Sequence, residues 1–147
     1  MSGDHIPDPD HIARYCGGKQ IDENGRIDGA AFRLRRRDGI PEEYLSVNWL
    51  EFLATVNRPA QVAALQAVFL SKAFKVGSTA RFAVLNVGDL RAYVRDESPD
   101  RRELSVLHEP EQDDASHCGL YGLRMDDDLI SDLIAGIVHE TYSAKAG

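Results

Sequence analysis

Leu45-Ser46-Val47-Asn48-Trp49-Leu50-Glu51-Phe52-Leu53 changes its hydrophobic period in the middle. Its first half alternates as a strand does, whereas Trp49, Leu50, Phe52, Leu53 and Val56 group at helical spacing. The spacing predicts a strand that runs straight into a helix at Asn48. Its side chain can cap the helix, Glu51 stands at the reciprocal capping-box position, and Val47 and Phe52 can staple the entrance. Both element types therefore share one local unit, which points to an α+β domain.

Upstream, residues 8–16 read as a short helix: Pro9 suits a first helical position, Asp8 can cap it, and Gly17-Gly18 ends it. Ile12, Tyr15 and Cys16 would face inward, with His11 and Arg14 together on the other side. Asn24-Gly25 between residues 19–22 and 30–36 is a hairpin signal, and the second run alternates Phe32 and Leu34 with Arg33 and Arg35. Asp38-Gly39 turns the chain again, so that residues 44–47 can pair back.

Downstream, Pro59 opens a helix with Val62, Leu65, Val68 and Phe69 on one stripe. Residues 79–87, TARFAVLNV, are apolar enough for a strand covered on both faces, expected in the middle of the sheet. A short helical piece over 88–94 follows, then strands over 104–108 and 117–123 separated by an acidic loop. Asp126, Asp127 and Asp128 suit a helix start, and Leu129, Ile130, Leu133, Ile134, Ile137 and Val138 form the clearest apolar stripe. The expected architecture is a small mixed or antiparallel sheet of about four to six strands flanked by three or more helices, the C-terminal amphipathic helix packed on the sheet. Residues 1–8 read as a flexible N-terminal arm and 9–147 as a single domain.

With 43% hydrophobic and 28% charged residues, the chain is too apolar to be disordered. No apolar run approaches the roughly 20 residues of a membrane span, and MSGDHIPDPD lacks the character of an export signal. Two cysteines are too few for a stapled secreted scaffold. A soluble cytoplasmic protein with reduced thiols is expected. The net charge of −7 disfavours nucleic acid except through a local patch, Arg33, Arg35, Arg36 and Arg37. That patch has no interleaved aromatic platform, and it serves equally as a face for an acidic protein partner.

Imidazole can act as acid, base or ligand near neutral pH, so the histidines are the first candidates for chemistry. His11 stands beside Arg14, His108 ends a strand, and His117 follows the acidic loop. Together they can form a site in which Arg14 holds a phosphate or carboxylate and the imidazoles exchange protons. A surface role in hydrogen bonding is the plainer reading of each. Zinc at His11, Cys16, His117 and Cys118 has the donor types but not the close pairing of familiar sites, so no metal is assigned. Cys118 lacks a nucleophile signature, and His139 lies off the apolar stripe. The Asp113-Asp114 and Asp126 to Asp128 clusters lack EF-hand spacing. There is no phosphate-loop or dinucleotide fingerprint, and no cofactor is expected. Trp49, the sole tryptophan, is either core or a binding anchor.

The first functional expectation is a small protein-interaction or accessory module acting in a complex, through a protein partner or self-association and without a membrane. The alternative is a compact hydrolase or transferase for a phosphorylated or nucleotide substrate, with His11, His108 and His117 catalytic and Arg14 binding. Whether the chain is an enzyme is left open by the sequence.

Overall fold

The computed structural model describes residues 3–72 and 74–146. Among these, six strands form an antiparallel sheet in the order β6-β7-β4-β1-β5-β8. In chain order they are β1 (His11–Cys16), β4 (Leu45–Trp49), β5 (Arg81–Asn86), β6 (Ser105–His108), β7 (His117–Tyr121) and β8 (Glu140–Ser143). A separate two-stranded ribbon joins β2 (Arg36–Arg37) to β3 (Ile40–Pro41) around Asp38-Gly39, both at positive φ as such a tight turn requires. The helices are α1 (Leu50–Leu53), α2 (Arg58–Ser71), α3 (Val87–Glu97) and α4 (Asp128–Gly136). None is long and apolar enough to cross a membrane.

The sheet carries a core on each face. On one side Ile12, Leu45, Val47, Leu85 and Leu120 pack with Leu90 and Val94 of α3 and Ile130 and Ile134 of α4. On the other, Ala13, Phe82 and Val84 meet Leu50 of α1 and Leu65 and Phe69 of α2. Ile12, Leu65 and Leu90 are each 0% exposed. Burying such a side chain contributes roughly 1.5–3 kcal/mol, so both helical layers hold the sheet. The last helix packs on the sheet as its stripe predicted, but it stops at Gly136, and β8 then closes the row beside β5.

The strand-to-helix transition at residues 45–53 is present, with one correction. Trp49 rather than Asn48 precedes α1, and no side chain caps it. The Asn48 amide is instead committed to Asp114 and Ser116 at 2.7 and 2.9 Å. Asn57 caps α2 through Ala60 N, and Asn86 caps α3 through Asp89 N. The α3 helix runs on to Glu97, beyond the short piece expected.

Residues 11–16 are a strand, not the end of a helix. β1 is fully registered against β5 from His11↔Asn86 to Cys16↔Arg81, and a complete antiparallel ladder outweighs a weak local start signal. β4 and β1 are the central pair, and β5 is an inner strand next to the β8 rim, so residues 81–86 are covered on both faces without being central. The expected hairpin over 19–36 is replaced by two short 3-10 turns, Gly18–Gln20 and Gly29–Phe32, with a single bridge Ile21↔Ile27. Phe32 is 0% exposed, and Ser131 Oγ of α4 donates to its carbonyl, which anchors this loop on the helix. Where a loose arm was expected, residues 3–6 lie along β6. Ile6 N donates to Val106 O, His108 N donates to Asp4 O, and Ile6 enters the core.

Candidate functional site

The site begins where two strands part. β1 and β4 pair at Ile12↔Trp49 and Ala13↔Asn48 and not beyond. The Arg14 guanidinium enters the gap, Nη1 donating to Ser46 O at 2.9 Å and Nε to Ala31 O at 2.8 Å. A side chain thus supplies the donor that the ladder leaves missing. Burial, with Arg35 and Arg37 acting in the same direction, lowers its proton affinity from 12.5, against the pull of Cys16 and Glu42. An arginine stays charged nonetheless, so Arg14 is a desolvated cation facing like charge.

Over this gap opens a groove of about 570 Å³, within the size of small-molecule sites. Five cationic side chains line it, Arg14, Lys19, Arg35, Arg37 and Lys72, against one carboxylate, Glu111. Their commitments differ. Arg37 pairs with Glu42 at 3.3 Å and Lys72 with buried Asp114 at 2.8 Å. Among the described residues, the side chains of Lys19 and Arg35 hold no ion pair or hydrogen bond, and both are exposed. One wall is aromatic: Tyr15 stacks on Phe69 with centroids 5.5 Å apart, and Phe74 stands edge-on to Tyr15 while 46% exposed.

The floor of the groove holds a polar chain built by β4 and β7. Their register sets Ser46 opposite Gly119 and Asn48 opposite His117, making Ser46 and His117 diagonal neighbours on one face. Gly119, opposite Ser46, makes room for two tyrosine rings; a Cβ there would lie 2.7 Å from Tyr121 Cε1 and 2.8 Å from the Tyr44 ring. His117 is 3% exposed, with Nδ1 2.7 Å from Glu109 O and Nε2 3.1 Å from Ser46 Oγ. A carbonyl only accepts, so Nδ1 carries hydrogen, and in the neutral form of the ring Nε2 is the acceptor for the exposed Ser46 hydroxyl. Glu111 Oε2 lies 4.0 Å from the same nitrogen.

Asp114 fastens the loop that carries these groups. Burial alone would raise its carboxyl, but hydrogen bonds from Lys72, Asn48 and Ser116 overcome this and hold it below the ordinary 3.8. The Asn48 and Asp114 side chains thereby tie β4 to residues 109–116.

The sequence candidates divide. Arg14, His117, Arg35 and Arg37 come together in the groove. His11 does not: β1 is a strand, so residues three apart face opposite sides, and His11 lines another pocket while Glu51 Oε2 holds its Nδ1 at 2.7 Å. His108 is buried against Trp49 and Phe52, its Nε2 2.8 Å from Ala115 O. Trp49 also donates to Asp10 Oδ2 at 2.8 Å. Arg33 Nε lies 3.1 Å from Asp128 Oδ1 at an angle that makes no hydrogen bond, and Arg36 reaches back to Gly39 O. Cys16 and Cys118 are buried, and burial pushes their thiols up to about 11 and 12. Among the described residues no group of three His, Cys, Asp or Glu side chains can hold a metal ion.

Ser46, Lys19 and Lys72 were not singled out by the sequence. Ser46 becomes legible only through the β4–β7 register, and Lys72 only through its pairing with Asp114 across 42 positions. No protein-family model, curated protein or solved structure matches the chain.

Proposed function

We propose that the chain is a binding module for a small phosphorylated ligand of nucleotide size, taken up in the groove over β1 and β4. One observation carries this reading: of the five cations lining the groove, Arg37 and Lys72 are paired with Glu42 and Asp114, while Arg14, Lys19 and Arg35 hold no ion pair among the described residues, in a protein whose net charge is −7. Concentrating positive charge on an otherwise acidic surface costs repulsion, and Arg35 and Arg37 add to the burial that chiefly lowers the proton affinity of Arg14. A bound anion relieves that repulsion. Arginine forks match phosphate oxygens, and Lys19 and Arg35 are uncommitted among the described residues. The Tyr15, Phe69 and Phe74 wall supplies an apolar face against which a planar ring can lie.

Calorimetric titration with adenosine monophosphate and with adenosine tests the reading. The monophosphate is expected to bind at least about tenfold more tightly, since one charge-assisted hydrogen bond contributes roughly 1.5–3 kcal/mol. Lys19→Glu with Arg35→Glu, both at exposed positions, is expected to abolish the difference. Equal affinity for the two ligands, or unchanged affinity in the double variant, overturns the assignment.

A further inference from the structure

We infer that Ser46 and His117 are a nucleophile and its base, and that the chain cleaves the phosphate monoester it binds; this rests on the binding reading above. A serine hydroxyl is a weak nucleophile until a positioned base takes its proton, and the diagnostic arrangement is hydroxyl to base to a third group that orients the base. All three are present. Ser46 Oγ lies 3.1 Å from His117 Nε2, and Nδ1 is fixed by Glu109 O at 2.7 Å. The hydroxyl is exposed in the groove while the imidazole is buried beneath it, so a substrate reaches the nucleophile and not the base. Arg14 Nη1 holds the backbone carbonyl of Ser46, so a fixed positive charge lines the same groove as the hydroxyl.

The reaction balances with water as the only co-reactant. Ser46 Oγ attacks phosphorus as His117 Nε2 takes its proton. The ester P–O bond breaks on the side opposite Ser46, its electron pair goes to the leaving oxygen, and that oxygen takes a proton from solvent water to release an alcohol while His117 stays protonated. Water then attacks the phosphoserine from the side opposite Oγ and gives up a proton to solvent, the P–Oγ bond breaks, and His117 returns its proton to Ser46 Oγ. Inorganic phosphate leaves.

Turnover of p-nitrophenyl phosphate and adenosine monophosphate is measured beside calorimetric binding of inorganic phosphate, and acid-quenched protein is mapped by mass spectrometry. The expected results are turnover, phosphate captured on Ser46, and a loss in kcat/KM of at least about 100-fold in Ser46→Ala. Ser46 is exposed, so this variant serves even where a His117 variant fails to fold. Phosphate binding without turnover or a phosphoserine overturns the catalytic inference and leaves the binding reading standing. Turnover retained by Ser46→Ala also overturns it. Absence of phosphate binding removes both readings together.

Discussion

Replacing Asp114 with alanine tests the fastening of the groove loop. The carboxylate accepts from Lys72 Nζ at 2.8 Å, Asn48 Nδ2 at 2.7 Å and Ser116 Oγ at 2.8 Å. Asn48 and Ser116 are 5% and 1% exposed, so water does not replace what they lose, although Asn48 Nδ2 keeps Ser116 Oγ at 2.9 Å. Lys72 retains a route to solvent, its side chain being 16% exposed. Breaking a buried ion pair costs about 3–5 kcal/mol, and the lysine's access to water puts Asp114→Ala at the lower end, about 3 kcal/mol. For a chain of this length that lowers Tm by roughly 6–12 °C. Urea unfolding at pH 7, followed by the emission of Trp49, gives the difference directly. The folded carboxyl titrates below its ordinary 3.8, so its contribution is present above that value and lost as pH falls through the folded one. The gap between wild type and variant is therefore expected to narrow below pH 3.8. A difference under about 1 kcal/mol at pH 7, the size of an ordinary surface effect, refutes the reasoning.

Gly122 has φ +107, and a Cβ there would lie 2.5 Å from Glu103 O, so Gly122→Ala is expected to cost about 2 kcal/mol or more in urea unfolding. Gly136 has open space around its Cβ position, and Gly136→Ala is expected to gain roughly 0.5–1 kcal/mol in the same measurement. Leu65→Ala, at 0% exposure, should lose about 2–5 kcal/mol, whereas Leu70→Ala, at 80%, should change stability by less than about 0.5 kcal/mol. Cys16 and Cys118 are buried with thiols raised to about 11 and 12, so an aromatic disulfide reagent at pH 8 should leave the folded chain unlabelled and titrate both thiols in denaturant.

Long elements with one clear period were readable before any coordinates. The β4-to-α1 transition, the α2 and α4 stripes and the doubly covered β5 were all visible as patterns of side chains. Residues 11–16 misled because Ile12 and Cys16, four apart, share a face in both a helix and a strand, while Asp8-Pro9 supplied a helix-start signal. The arbiter was the six-residue register with β5, which lies some 70 positions away in the sequence. Asn48 looked like a cap because a cap is the local use of an asparagine; its actual partners, Asp114 and Ser116, are 66 and 68 positions distant. In β8, Thr141 and Tyr142 carry strand preference, but they closely follow a continuous helical stripe, and the sequence pattern assigns them no strand. The candidate site was half legible. Residue type drew attention to Arg14, His117, Arg35 and Arg37, while only the tertiary register separates His117 from His11 and His108 and gives it Ser46.

The backbone contacts of residues 3–6 bear on how copies of this chain meet one another. A bare outer strand is a template for a neighbour's strand, the first step toward runaway stacking. Here the outer side of β6 already carries the chain's own backbone, through Ile6 N to Val106 O, His108 N to Asp4 O and the His5↔Leu107 bridge. At the far rim, the β8 carbonyls of Thr141 and Ser143 accept from the side chains of Arg81 and Gln66. One rim is occupied by main chain and the other blunted by side chains. Association between copies is thereby steered away from sheet extension and toward side-chain surfaces.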